Sequence, residues 1–191
     1  MKKGMNDKQH DAPKIARSSY ARRVAYIWFK RMEVLRIDIE SLISDAQKLL
    51  LAAIPCPVTY VDRVALEKNK LPPTLGTTPI NLYALWKRAG DQAEWELMYI
   101  GQRSYKSGWS RVAQHLFSTP QGTQSKLQEV RAAIRAGDEI GVTAILVEPD
   151  SMRLSVEEEL INRNSSSTDH LRWNHKARSR IKKRRNSESS A

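Results

Sequence analysis

The stretch Asn81–Leu116, NLYALWKRAGDQAEWELMYIGQRSYKSGWSRVAQHL, decides how the rest of the chain is read. Two short apolar-aromatic runs, Asn81–Trp86 and Trp95–Ile100, flank a polar turn at Arg88–Glu94. Runs of this kind bounded by Gly, Asp and Gln predict a β-hairpin. Each carries one tyrosine, Tyr83 and Tyr99. The second run ends in Gly101, which lets the backbone leave the strand tightly. A helix follows, with Arg111 and His115 four residues apart and therefore on one face.

Outward from the hairpin, the order predicted is strand, strand, helix, helix, strand, helix, a small α/β layer with helices against a short sheet. Ser118–Gln124 reads as a loop. Gln124–Ala136 repeats apolar residues at Leu127, Val130 and Ile134, predicting a helix ended at Gly137. Ile140–Val147 is apolar and β-branched, as a strand buried on both faces should be. Pro149-Asp150 turns the chain, and Ser151 or Ser155 begins a further helix before a Ser-rich loop at Asn164–Thr168.

On the N-terminal side, residues 1–18 are polar and charged and are expected to be disordered. A long helix is predicted from Ser19 to Ala53, because Val24, Trp28, Met32, Leu35, Ile39, Leu42, Ala46 and Leu49 recur every three or four residues. Ser18 or Ser19 can cap it, and Pro55 ends it. Its charged face is plainly solvated, or its basic beginning touches DNA. Residues 55–80, with prolines at 55, 57, 72, 73 and 79, read as an irregular connection, with room for a short strand at Val58–Val61.

A chain of 191 residues has room for one ordinary domain plus extensions. Apolar content of 40% allows a core, and 28% charged residues make the chain soluble. The formal net charge of +11 is a statement about partners, most simply a polyanion. No uninterrupted apolar run approaches the length of a membrane span, and the polar first residues lack the apolar stretch of a signal peptide. One cysteine, Cys56, permits no internal disulfide and no cysteine-based zinc site. It fits a reducing cytoplasm, as a small buried hydrophobe. Gly-rich phosphate loops, His-Glu-x-x-His and Gly-x-Ser-x-Gly are absent. The segment ending at Arg185 carries seven Lys or Arg in ten residues, either a solubilising tail or an arm that follows a phosphate backbone.

Glu157 is the most telling single position. Leu154, Val156, Leu160 and Ile161 mark the apolar arc of its helix, and Glu157 falls near the middle of that arc. A carboxylate turned toward a core needs a partner, either an arginine or a metal ion at the rim. Arg111 suits a phosphate, because its guanidinium forks onto two oxygens. His115 can bond a phosphate or help move a proton. Tyr83 and Tyr99 are either strand aromatics filling the core or phenols whose ionisation nearby cations assist.

This set resembles the GIY-YIG nuclease superfamily over about residues 77–176. Asn81-Leu82-Tyr83 stands for the first motif and Tyr99-Ile100-Gly101 for the second. Arg111 with His115 matches the family's helix, Glu157 with Leu160 and Ile161 its Glu-x-x-Leu-Ile, and Trp173-Asn174 its aromatic-asparagine pair. The chain departs from the pattern at Asn81, where the family has glycine, in a long hairpin turn, and in a long Ser-rich gap between Glu157 and Asn174.

The resemblance implies an α+β fold with a three-stranded antiparallel sheet flanked by helices. Around it the chain would divide into a disordered 1–18, a helix and connection at 19–76, the nuclease-like domain at 77–176 and a basic tail at 177–191. It implies a metal-dependent DNA endonuclease of restriction-like or mobile-element type. Magnesium or manganese would be held by Glu157, which suffices because magnesium commonly uses one or two carboxylates. Tyr83 would be the general base, Tyr99 its orienting partner, Arg111 and His115 phosphate or proton-handling groups, and Asn174 a buttress. Arg103, Lys176, Arg178, Arg180, Lys182 and Lys183 are the candidate DNA contacts. One such site cuts one strand, so a double-strand break needs a homodimer or two visits. The alternative is a DNA- or RNA-binding module that keeps the fold and does not cut.

Overall fold

The computed structural model describes residues 38–91, 93–120, 123, 125–165 and 171–174. The expected disordered N-terminus, most of the long helix, the Ser-rich loop from residue 166 and the basic tail lie outside these residues.

Strand β2 (Leu82–Arg88) and strand β3 (Glu96–Gln102) form the hairpin read from the sequence. They pair in the register Tyr83↔Gly101 and Leu85↔Tyr99, with a bulge between Leu85 and Trp86. Strand β4 (Glu139–Ile145) pairs antiparallel with the other edge of β2, from Leu82↔Ile145 to Arg88↔Glu139. The apolar run beginning at Ile140 therefore does form an interior strand, as its β-branched residues predict.

The sheet has four strands where three were expected. The additional strand, β1 (Cys56–Pro57), lies on the outer edge of β4, giving the order β1-β4-β2-β3. Pairing starts two residues before the Val58–Val61 run, at Cys56↔Val142 and Pro57↔Gly141. Only Val58 of that run continues it, through a 2.8 Å bond from its N–H to the Ile140 carbonyl. Asp62 then draws the chain into a turn by accepting from the Val64 and Ala65 amides. A proline is tolerated in β1 because an edge strand need not donate outward. Cys56 is half-buried there rather than enclosed.

Alternation along β2 splits the core. Tyr83 and Leu85 face one side, and Leu82, Ala84 and Trp86 face the other. Helices α2 (Gly108–Leu116) and α3 (Leu127–Arg135) cover the first side with Val112, Leu116, Val130 and Ile134. Helices α1 (Glu40–Leu51) and α4 (Arg153–Asn164) cover the second with Ile43, Leu50, Val156 and Leu160. Covered on both faces, β2 is buried from Leu82 through Trp86.

Of the positions expected to face the core at α1, Ala46 is buried and Ile39 and Leu42 pack against the same cluster; Leu49 departs from the expectation. Ile43 and Leu50 are buried, while Leu49 is 64% exposed. Packing against α4 and the sheet puts Ile43 and Leu50 at the centre of this arc and Leu49 outside it. Helix α3 starts at Leu127 and ends as expected, with Gly137 at φ +93° and the Asp138 amide returning to the Ala133 carbonyl. A 3-10 turn at Asp150–Met152 leads into α4, and neither Ser151 nor Ser155 caps it. Among the described residues no helix is long and apolar enough to cross a membrane.

Candidate functional site

The first face of the hairpin carries the polar centre. Tyr83 has Gly101 directly opposite on β3, and Tyr99 stands one pair further along the same face. The two rings lie 6.3 Å apart, tilted by 43°. They approach this closely because Gly101 has no side chain. A Cβ there would lie 2.8 Å from Tyr83 Oη and 2.9 Å from its Cζ, and would meet Tyr99 Cε1 more closely still. The glycine makes room for two rings over the strand, a role different from the tight strand exit expected of it.

Helix α2 brings Arg111 and His115 to the tyrosines. The His115 ring is 5.7 Å from that of Tyr83 and 5.2 Å from that of Tyr99, and its Nε2 is 2.9 Å from Tyr83 Oη. The Lys126 amide donates to Nδ1 at 2.8 Å. Burial, reinforced by the Arg111 and Lys126 charges, holds the His115 pKa down at about 3, so the ring is neutral. With Nδ1 accepting, the proton sits on Nε2 and His115 donates to Tyr83, an assignment made from the hydrogen-bond network. His115 is 0% exposed and both nitrogens are engaged. It supports Tyr83 from behind; the sequence expectation that it could bond a phosphate is not met by this geometry.

Arg111 bears on Tyr83 through its charge and donates from Nη1 to Gln114 Oε1 at 2.8 Å. Tyr83 is 0% exposed, and burial raises its pKa well above the ordinary phenol value, with Tyr99 adding to the rise and Arg111 opposing it. Tyr99 is half-buried and rises to about 12, through burial first and the Glu157 charge second, while Arg111 and a hydrogen bond with Tyr83 pull it down. Lys126 Nζ lies 5.6 Å over the Tyr99 ring and pairs with Glu129 at 3.4 Å. Lys126 was not legible as a site residue, because its contacts come from the loop before α3.

Glu157 stands on α4, over the other face, and its charge bears on both phenols. It is half-buried among neighbours that include the buried Val156, Leu160 and Ile161. Leu154, expected on the same arc, is 52% exposed. Burial, with the neighbouring Glu158 carboxylate, raises the Glu157 pKa to about 7 against a hydrogen bond from the Gln102 amide and the Arg153 charge. Arg153 is held in turn by Gln102 Oε1 at 2.9 Å and by Asp150. No cluster of three or more His, Cys, Asp or Glu that could hold a metal occurs among the described residues. The donor set fits a hydrated hard cation held through one half-buried carboxylate, and does not fit a metal caged by protein.

Two asparagines brace the centre. Asn174 is buried and pairs with both main-chain groups of Ile100, each at 2.9 Å. With Leu171 and Trp173 donating to Leu97 and Met98, the turn at 171–174 is bonded along β3. Asn81 stands where the resembled motif has glycine. It is 0% exposed, and its side chain pairs with both main-chain groups of Val147, each at 2.7 Å, and donates to Asp150 at 2.9 Å. The substitution ties the start of β2 to the segment leading into α4; nothing in the sequence pattern signalled it. Of the candidate DNA contacts, Arg103 is exposed just past β3. Lys176, Arg178, Arg180, Lys182 and Lys183 lie outside the described residues.

The two shifted groups have opposite effects on stability. His115 has a folded pKa of about 3 against 6.5, so stability falls as pH falls between those values. Glu157 has a folded pKa of about 7 against 4.5, so its contribution is full below 4.5 and is lost as pH rises through 7. Between about pH 7 and pH 5 each amounts to roughly 2 kcal/mol and they oppose one another. Relative to wild type, Glu157→Gln in metal-free buffer should therefore lose about 2 kcal/mol of stability on that acidification. Urea unfolding at the two pH values measures this; parallel changes in both proteins would contradict it.

No family model, curated protein or solved structure matches the chain significantly.

Proposed function

We propose that the chain is a divalent-metal-dependent DNA endonuclease of GIY-YIG type that hydrolyses phosphodiester bonds. The observation that carries this reading is convergence. Tyr83 and Tyr99 from the hairpin meet Arg111 and His115 from α2 at one face of the sheet, and the charge of Glu157, from the helix over the other face, bears on both phenols. A purely structural core has no use for two phenols, a guanidinium and a half-buried carboxylate at one spot, since each costs desolvation.

In this reading the Arg111 guanidinium takes the charge that builds on the non-bridging oxygens. A phenol of the pair accepts the proton of the attacking water. Asn174 fixes the stretch of β3 between Tyr99 and Gly101, and Glu157 holds magnesium or manganese. The cation, when bound, supplies Lewis-acid stabilisation of the phosphate. A net charge of +11 supplies salt-sensitive affinity for the DNA backbone. The type proposed is restriction-like or mobile-element; a double-strand break would come from a homodimer or two visits.

Nicking of supercoiled plasmid tests the reading, with open circles expected in magnesium and none in chelator. DNA or RNA binding without cutting in either metal, and with Glu157→Gln binding as tightly or more tightly, would make the chain a binding module on this fold.

A further inference from the structure

On the face of the sheet away from Tyr83, between the last turns of α1 and α4, lies an open pocket of about 290 Å³. That is the small end of the range for ligand sites, roughly 300–1,000 Å³. Trp86 and Leu97, paired across β2 and β3, line it from the sheet. Trp95 joins them from just before β3, with Gln47 and Leu51 of α1 and Asn164 of α4 opposite.

Both indoles are held in place before anything binds. Trp86 is 7% exposed, and its Nε1 donates to Thr143 Oγ1 at 2.9 Å. Trp95 is half-buried with its ring against Gly141, where a Cβ would lie 2.8 Å from Cζ3 and 2.9 Å from Cη2. The Arg88 guanidinium lies 4.5 Å from the Trp95 ring centroid and is fixed in turn by Glu139 at 2.6 Å. Arg88 does not line the pocket, so it backs the ring rather than filling the site. Aromatic surface fixed in this way loses little freedom when a flat ligand packs on it.

No lining side chain among the described residues is charged, so the site suits a neutral ligand. Its polar side chains are two carboxamides besides the indole already bonded to Thr143. Asn164 spends one amide proton on the Leu160 carbonyl at 2.8 Å, which leaves its oxygen and second proton. Gln47 is exposed at the rim. A carboxamide donates and accepts in one plane, the pattern that matches the edge of a nucleobase.

We propose that this pocket binds a single nucleobase, packed against the Trp86 and Trp95 indoles and met at its edge by Gln47 and Asn164. The inference goes beyond the nuclease reading, which concerns the other face, and stands or falls apart from it. A net charge of +11 favours a polynucleotide as the source of the base. Such a base must be extrahelical, because one inside the duplex stack cannot enter a pocket. A free nucleoside offers the same chemistry and is the second source to test.

Binding in chelator, where metal-dependent cutting does not intervene, tests the proposal with two duplexes. One carries a single unpaired adenine; the other carries an abasic residue in the same bulge. Wild type should bind the adenine bulge about 10-fold or more tightly than the abasic one, the usual worth of stacking one base on an aromatic side chain. Trp95→Leu and Ala52→Phe should each bring the two affinities together by weakening the adenine duplex alone. Ala52 lines the pocket from an exposed position, so phenylalanine there fills the site without entering the core. In the second arm, adenosine alone is titrated against tryptophan emission. Quenching that Trp95→Leu removes, without any preference between the duplexes, would support the pocket and make free nucleosides its source. Equal affinity for the two duplexes together with no Trp95-dependent quenching would overturn the proposal, whether or not the chain nicks plasmid. A preference retained in both variants would overturn it as well.

Discussion

Alanine at Gly101 is expected to lower the nicking rate by about 100-fold or more while leaving most of the fold in place. The added Cβ would sit 2.8 Å from Tyr83 Oη and 2.9 Å from Cζ, and closer still to Tyr99 Cε1. Carbon pairs at ordinary contact stand roughly 3.5–4.0 Å apart, so both rings must move by an appreciable fraction of an ångström. Tyr83 cannot retreat, since it is 0% exposed and held at its hydroxyl by His115. Overpacking of this kind costs about 1–3 kcal/mol of stability, and misplacing a catalytic group by about 1 Å costs on the order of 100-fold in rate. Single-turnover nicking alongside thermal unfolding separates the two effects. Wild-type nicking by Gly101→Ala would mean that the tyrosines are not held where the chemistry needs them.

Arg111→Ala is expected to lower the same rate by about 100- to 1,000-fold, the usual cost of removing a donor aimed at developing charge. DNA affinity should change little, because the formal charge falls by one from +11. Arg111→Lys should recover only part of the loss: an ammonium is a point charge without the guanidinium's two-pronged geometry. Guanidinium added in solution should partly restore Arg111→Ala and leave wild type unchanged. An alanine variant that nicks within about threefold of wild type, far below the loss of a transition-state donor, would remove Arg111 from the mechanism.

The elements legible in the sequence are those with local signals. The hairpin announces itself by two apolar-aromatic runs, α3 ends at the left-handed Gly137, and β4 is rich in apolar and β-branched residues. The helical spacing of Arg111 and His115 is enough to put them on one face, and the position of Glu157 on its apolar arc is enough to turn it inward. What the sequence left hidden depends on pairing between distant segments. The strand Cys56–Pro57 exists only because the edge of β4 is there to receive it. Asn81 and Asn174 are ordinary loop residues until their side chains are seen to mimic strand pairing with Val147 and Ile100. Lys126 gains its place only through His115 and Tyr99.

The roles within the centre were hidden for a related reason. Residue type and order place two phenols and an imidazole together, yet they do not say which hydroxyl faces outward. Burial decides that: Tyr83 is enclosed and Tyr99 is not. The histidine, easily read as a phosphate ligand from its spacing to Arg111, spends both nitrogens inside the protein.

The measurement that bears most directly on the central claim is plasmid nicking by the full chain across a magnesium titration, with Glu157→Ala beside wild type. Glu157 is the half-buried carboxylate whose ionised form a cation would favour. Wild type should convert supercoiled plasmid to open circles in proportion to bound magnesium, and Glu157→Ala should show no metal-dependent cutting at any concentration while still binding DNA. Equal cutting by both proteins, or cutting by wild type that ignores magnesium and chelator alike, would contradict the account.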